Sequence, residues 1–311
     1  MPSAPIDVLT PLQIKDIQAS EGPHSVFRGK YRIKQYVKPS QMLDSTGRPI
    51  HPSLLPFPQP FQAASAWLGS SWNVTNRTFL GQLHGCNLLC PYCYVDRDAE
   101  AEDVGADDYV LDWVAWNKFN PEAQAWVLRI SGGEPMLYQS WVEDVIEFSR
   151  EYLGLAPYIW VDTNGTVDPD RCLLEVLSWP GVGVNLCFKY GVDLGHQLSI
   201  ARTLIDAGVD TYFYVPAWLN NVQFPVLDPG WDFRLWLCNI AAGLRDISEY
   251  APLRVTVIHI KPYQTCLKQG FEAPCHGESY MYVHNAWANM MSGLYRDEPE
   301  ILWLPSNQVP L

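Results

Sequence analysis

From position 77 onward, short apolar runs alternate with longer amphipathic stretches, and that alternation predicts repeated β-α units around a parallel sheet. The runs at 78–83, 126–131, 158–162, 182–188, 211–215 and 253–260 read as strands, rich in Val, Ile, Tyr and Phe. Between them, 108–118, 141–153, 170–177, 195–207 and 232–250 carry apolar residues at helical spacing. Pro180 and Gly208 supply stop signals after the third and fourth of these. Six units fall short of the eight that close a full barrel, so the expected fold is α/β, a partial (β/α)6 barrel whose site lies at the C-terminal ends of the strands.

Residues 1–76 break this pattern. Pro49, Pro52, Pro56, Pro58 and Pro60 crowd a segment with little helical periodicity, which is expected to be an N-terminal extension wrapping the barrel of 77–264, with 265–311 as a C-terminal tail covering it. Within the extension, Arg28, Lys30, Arg32 and Lys34 alternate with Phe27, Gly29, Tyr31 and Ile33 over 26–37, the period of a half-buried strand. Such a row of charge suits a solvated edge strand or a face that docks an acidic partner.

Composition narrows the class. A chain of 311 residues, 48% hydrophobic, has material for a large core, and 21 basic against 34 acidic residues give a net charge of -13. That charge repels a phosphate backbone and argues against general nucleic-acid binding. No apolar run approaches the roughly 20 residues of a membrane span and no secretory pattern opens the chain, so a cytoplasmic location with no membrane partner is expected. In that compartment the eight cysteines are expected to be thiols or metal ligands.

Three of them, Cys86, Cys90 and Cys93, follow the first strand directly at C-x3-C-x2-C spacing. Three thiolates can hold three irons of a cubane cluster and leave the fourth open, whereas electron-transfer clusters take four cysteines. A zinc site is the alternative, but structural zinc takes a second ligand pair of similar spacing. Cys172, Cys187, Cys238, Cys266 and Cys275 form none. The second strand runs into Ser131, Gly132, Gly133, Glu134 and Pro135, the third ends in Asp162, Thr163, Asn164 and Gly165, the fourth in Cys187, Phe188 and Lys189, and the sixth in Pro262, Tyr263 and Gln264.

The cysteine loop, with Tyr92 before its third cysteine, and the Gly-Gly-Glu turn behind it resemble the radical S-adenosylmethionine superfamily. Over 77–264 the order of landmarks resembles the pyruvate formate-lyase activating enzymes and their organic-radical-activating relatives. The resemblance implies a [4Fe-4S] cluster on Cys86, Cys90 and Cys93, with S-adenosylmethionine chelating the open iron. It further implies Tyr92 and Tyr94 beside the adenine, Gly132, Gly133 and Glu134 at the methionyl amine, and Asn164, Lys189 and Gln264 as further cofactor contacts. A side chain at Gly133 is accordingly expected to block the cofactor amine and spare the cluster.

The implied reaction is reductive cleavage to a 5′-deoxyadenosyl radical, fed by a donor such as flavodoxin or ferredoxin, and hydrogen abstraction from a small-molecule or peptide substrate. An activating enzyme that installs a glycyl radical on a partner is the second reading. Cys187 where those relatives carry Asp, and Gln264 where they carry His, count against it. A non-catalytic iron-sulfur or zinc protein is the third. After the sixth strand, His259, Cys266, Cys275, His276 and His284 form a sparse set of ligand-type residues in which an auxiliary metal site competes with ordinary core packing.

Overall fold

The computed structural model describes residues 25–26, 32–35, 60–69, 77–90, 92–93, 95, 102–154, 156–217, 230–259, 276–299 and 302. Its elements run β1 (Ser25–Val26), β2 (Arg32–Gln35), α1 (Pro60–Trp67), β3 (Arg77–Leu83), β4 (Glu102–Asp103), α2 (Ala106–Phe119), β5 (Val127–Gly132), α3 (Gln139–Glu147), β6 (Tyr158–Thr163), α4 (Arg171–Leu177), β7 (Val182–Cys187), α5 (Leu194–Asp206), β8 (Asp210–Ala217), α6 (Gly230–Ile247), β9 (Val255–His259) and α7 (His276–Leu294). The strands β3, β5, β6, β7, β8 and β9 pair in parallel in chain order, each fed by a helical crossover. This is the expected partial (β/α)6 barrel, with all six sequence-derived strands present.

The edge before β3 is antiparallel. β1 and β2 both pair with β3, at its C-terminal and N-terminal halves, and β4 pairs with β1. The basic stripe therefore contributes a four-residue edge strand at Arg32–Gln35, while Arg28 and Lys30 lie outside the described residues.

The two faces of the parallel sheet differ, and that difference positions the site. Leu128 and Ile130 of β5, Ile159 and Val161 of β6, Val184 and Leu186 of β7, and Val255 and Val257 of β9 belong to the large core shared with the helices. Alternate residues face the concave side. There Val127, Tyr158, Trp160, Cys187, Tyr212 and Tyr214 form a second cluster with Ala63 and Ala64 of α1. Thus α1, which arises in the proline-rich extension where no helix is expected, floors the lumen at the N-terminal ends of the strands. Trp67 holds it there, its Nε1 donating to the Ala156 carbonyl at 3.2 Å with the Arg150 guanidinium 5.1 Å over its ring.

Two further elements depart from the expectation. The second amphipathic stretch, expected as one helix over 141–153, ends as α-helix at Glu147 and continues as a turn of π-helix over Phe148–Tyr152. The tail contains α7, whose Val283, Trp287 and Met291 close the outer core. No helix among the described residues is long and apolar enough to cross a membrane.

Candidate active site at the strand ends

The cysteine loop leaves β3 at the C-terminal rim of the barrel. Leu88, Cys90 and Tyr92 are buried together, with Cys86, Cys93 and Val192 packed against them. The Cys93 N–H donates to the Cys90 carbonyl at 3.1 Å, folding the second half of the loop back on itself. Two donors approach the Cys86 sulfur: the Leu88 N–H at 3.4 Å and Asn164 Nδ2 at 3.9 Å.

Burial pushes the Cys86 thiol well up, and the charges of Cys90 and Glu134 push it further, against the pull of the Leu88 N–H. Thiols that repel one another as thiolates are relieved by a cationic centre between them, since metal binding deprotonates its sulfur ligands. The donor set thus fits an iron-sulfur group. Three thiols on one loop match the one-thiolate-per-iron ligation of a cubane.

The Gly-Gly-Glu turn ends β5 directly against this loop. The Gly133 N–H donates to the Leu83 carbonyl at 2.7 Å and the Glu134 N–H to the Gly85 carbonyl at 2.8 Å, so the two strand ends are sewn together one residue before Cys86. Gly132 has φ +103°, and a Cβ there would lie 2.5 Å from the Leu83 oxygen. A Cβ on Gly133 would overlap the Gly85 carbonyl oxygen and lie 2.6 Å from its carbon. The clash falls on the backbone that leads into the cysteine loop, so a side chain at Gly133 presses on that loop as well as on the space expected for the cofactor amine.

Glu134 is fully buried, and three donors engage its carboxylate: Met136 N–H at 3.0 Å and Thr163 Oγ1 at 2.8 Å on Oε1, and Asn164 N–H at 2.6 Å on Oε2. Burial raises its pKa from 4.5 to about 7, and the bonds from Asn164, Met136 and Thr163 hold it from rising further. Because the folded value lies above the unfolded one, its stabilising contribution is complete below about pH 4.5 and is lost as pH rises through about 7. Glu134→Gln should therefore remove a stability decline of at most about 3 kcal/mol across that window, at roughly 1.4 kcal/mol per pH unit. Urea unfolding at stepped pH reads it; parallel curves for the two proteins would refute it.

Asn164 is the junction of the rim. Its Nδ2 donates to Asn87 Oδ1 at 2.9 Å, its Oδ1 accepts from the Thr166 N–H at 3.0 Å and from the Thr166 hydroxyl, and its carbonyl accepts from Gln197 Nε2 at 2.6 Å. Asn87 Nδ2 reaches Thr166 Oγ1 at 2.7 Å. The side chain expected to touch a cofactor thus anchors the cysteine loop to the end of β6. Lys189 stands at the end of β7 with Nζ 5.6 Å above the Tyr92 ring, and its N–H donates to Gln197 Oε1 at 3.4 Å. Burial pushes the Cys187 thiol up, and the neighbouring Lys189 draws it back.

Cys86, Cys90, Cys93, Tyr92, Gly132, Gly133, Glu134, Asn164 and Lys189 therefore share one rim. Tyr94, Gln264, Cys266 and Cys275 lie outside the described residues, as do the side chains of His259 and His276. His284 sits half-buried on α7 beside Val283, with its pKa lowered by burial. Gln197 and Asn87 escape the sequence reading. Gln197 interrupts the buried stripe Ile200, Ala201 and Leu204 of α5, and a polar residue on an apolar face is the signal that marks it.

The family model described as Radical SAM superfamily matches residues 83–183. No curated protein matches the chain. Among solved structures, Streptococcus suis SuiB bound to S-adenosylmethionine is similar with a TM-score of 0.48 and 13% identity, over 69% of this chain and 46% of that one. SuiB bound to the precursor peptide SuiA is similar with a TM-score of 0.46 and 13% identity, over 70% of this chain and 49% of that one. The chain thus spans about half the length of these structures.

Proposed function

We propose that the chain is a radical S-adenosylmethionine enzyme acting on a small-molecule or peptide substrate. The observation that carries this reading is the cysteine loop sewn to the Gly-Gly-Glu turn at the C-terminal rim of a parallel barrel, inside the segment that matches the superfamily. Cys86, Cys90 and Cys93 would hold a [4Fe-4S] cluster, and Tyr92, Gly132, Gly133 and Lys189 would border S-adenosylmethionine, joined by Tyr94 and Gln264. When bound, these groups supply an electron and a sulfonium whose reductive cleavage gives a 5′-deoxyadenosyl radical able to take hydrogen from the substrate.

The chain's residues supply position. Asn164 and Asn87 fix the loop, Glu134 locks the glycine turn to the end of β6, and Leu88 and Tyr92 are buried together with Cys90. A reducing, cytoplasmic setting suits six free cysteines among the described residues.

Glycyl-radical activation of a partner enzyme is the second reading, for which the chain keeps only the lysine of the resembled Asp-Leu-Lys motif, Lys189 at the end of β7. Anaerobic reconstitution followed by dithionite or reduced flavodoxin tests the main reading. The protein should convert S-adenosylmethionine to 5′-deoxyadenosine and methionine without substrate, slowly, and faster with it. A reducible cluster that binds S-adenosylmethionine yet yields no 5′-deoxyadenosine under any reductant would defeat it.

A further inference from the structure

On the outer surface, α6 and α7 leave a groove of about 380 Å³ between them, with Leu237 of α6 and Ala286 of α7 among its walls. Two sulfur atoms meet in it: the Cys238 thiol donates to Met290 Sδ at 3.4 Å. Cys238 is exposed, while Met290 is half-buried and packs against the main core, so the pair is open to solvent on one side and braced on the other. Neither sulfur takes part in the chemistry of the rim. A thiol and a thioether are both soft, polarisable donors, and two of them converging in a groove make a ligand pair for a soft cation.

Charge decides which cation. Arg234, one helical turn before Cys238, is the one charged residue among those described that line the groove, and no carboxylate joins it. Calcium, magnesium and manganese take oxygen anions, and structural zinc takes four ligands, so the groove suits none of them. Metal binding deprotonates a thiol. A monovalent ion on this pair therefore leaves no net charge, whereas a divalent ion would leave a positive one beside Arg234, whose guanidinium is held 5.1 Å from the centre of the Tyr282 ring. The two sulfurs already share a proton, and the unbranched Met290 side chain can shift to let a larger cation take its place.

We propose that Cys238 and Met290 form a binding site for a soft monovalent cation of the copper(I) type. Cys238 gives its thiol proton to solvent and binds the ion as a thiolate, Met290 Sδ adds a lone pair, and no electron is transferred. The site shares no residue with the rim and is independent of the radical reading.

The test uses the full chain and silver(I), a soft monovalent ion that keeps its oxidation state in air, with its free concentration set by excess methionine. Iodoacetamide labelling read by mass spectrometry follows Cys238, and exposed Cys172 of α4 is the reference in the same chain. Silver should protect Cys238 at about tenfold lower free concentration than Cys172, and Met290→Leu, which conserves volume, should abolish that difference. With carbon-labelled methionine methyl groups, the resonance missing from the Met290→Leu chain should shift and saturate over the same silver range. Zinc(II) at equal free concentration should protect neither thiol preferentially. Equal protection of Cys238 and Cys172 in the parent, protection of Cys238 that survives Met290→Leu, an unmoved Met290 methyl resonance, or selective protection of Cys238 by zinc(II) would overturn the proposal.

Discussion

Replacing Cys86, Cys90 and Cys93 together by alanine is expected to leave a folded chain that binds no iron and forms no 5′-deoxyadenosine, against about four irons per chain in the reconstituted parent. Retention of the fold follows from where the loop is anchored. Its short bonds to the barrel run through the Gly85 carbonyl to the Glu134 N–H and through Asn87 to Asn164 and Thr166, while a thiol takes part only in the long 3.9 Å approach of Asn164 Nδ2 to Cys86. The thiols belong to a small cluster with Leu88 and Tyr92, separate from the main core, and Cys86 and Cys93 are only partly buried. Losing them should cost roughly 1–2 kcal/mol of unfolding free energy. Iron and sulfide analysis alongside urea unfolding separates the two effects. Full iron content in the triple variant, or a parent that binds one zinc and no iron, would sink the assignment.

The second large effect is expected at Gly133. Gly133→Ala should lower stability by about 3 kcal/mol and remove iron and S-adenosylmethionine binding together, because its methyl group enters the Gly85 carbonyl rather than open space. Backbone cannot rotate aside as a side chain does. Either the turn lifts, breaking the two bonds from Gly133 and Glu134, or the cysteine loop shifts from its register. Gly208→Ala is the matched control. It forces a side chain onto a positive φ, +77°, a strain that Gly133 does not carry, but meets nothing within 4 Å, so it should cost only about 1–2 kcal/mol and leave iron binding intact. A Gly133→Ala protein with normal iron and cofactor binding would mean that the turn does not brace the loop.

The strands were legible because parallel strands packed on both faces are dense in apolar and β-branched residues: Tyr158, Ile159, Trp160 and Val161 could hardly be anything else. The rim was legible in composition and not in wiring. Cys86, Gly133 and Glu134 stand out by spacing, but the bond from Glu134 to the Asn164 N–H spans 30 residues, and no local pattern records it. For the same reason a glycine that reads as room for a ligand turns out to be room for a neighbouring loop. Helix α1 was hidden by the prolines around it, although Pro60 sits at its first position, where a missing N–H is tolerated. Helix α7 carries Val283, Trp287 and Met291 at four-residue steps, a readable stripe in a segment whose histidines and cysteines invite a reading by ligands instead.

Ala63 and Ala64 of α1 pack with Val127, Tyr158 and Trp160 on the concave face, so a helix from outside the matched segment 83–183 completes the inner surface of the barrel. A fragment limited to that segment would leave Tyr158 and Trp160 facing water, and the helix thereby belongs to the same folded unit as the cysteine loop.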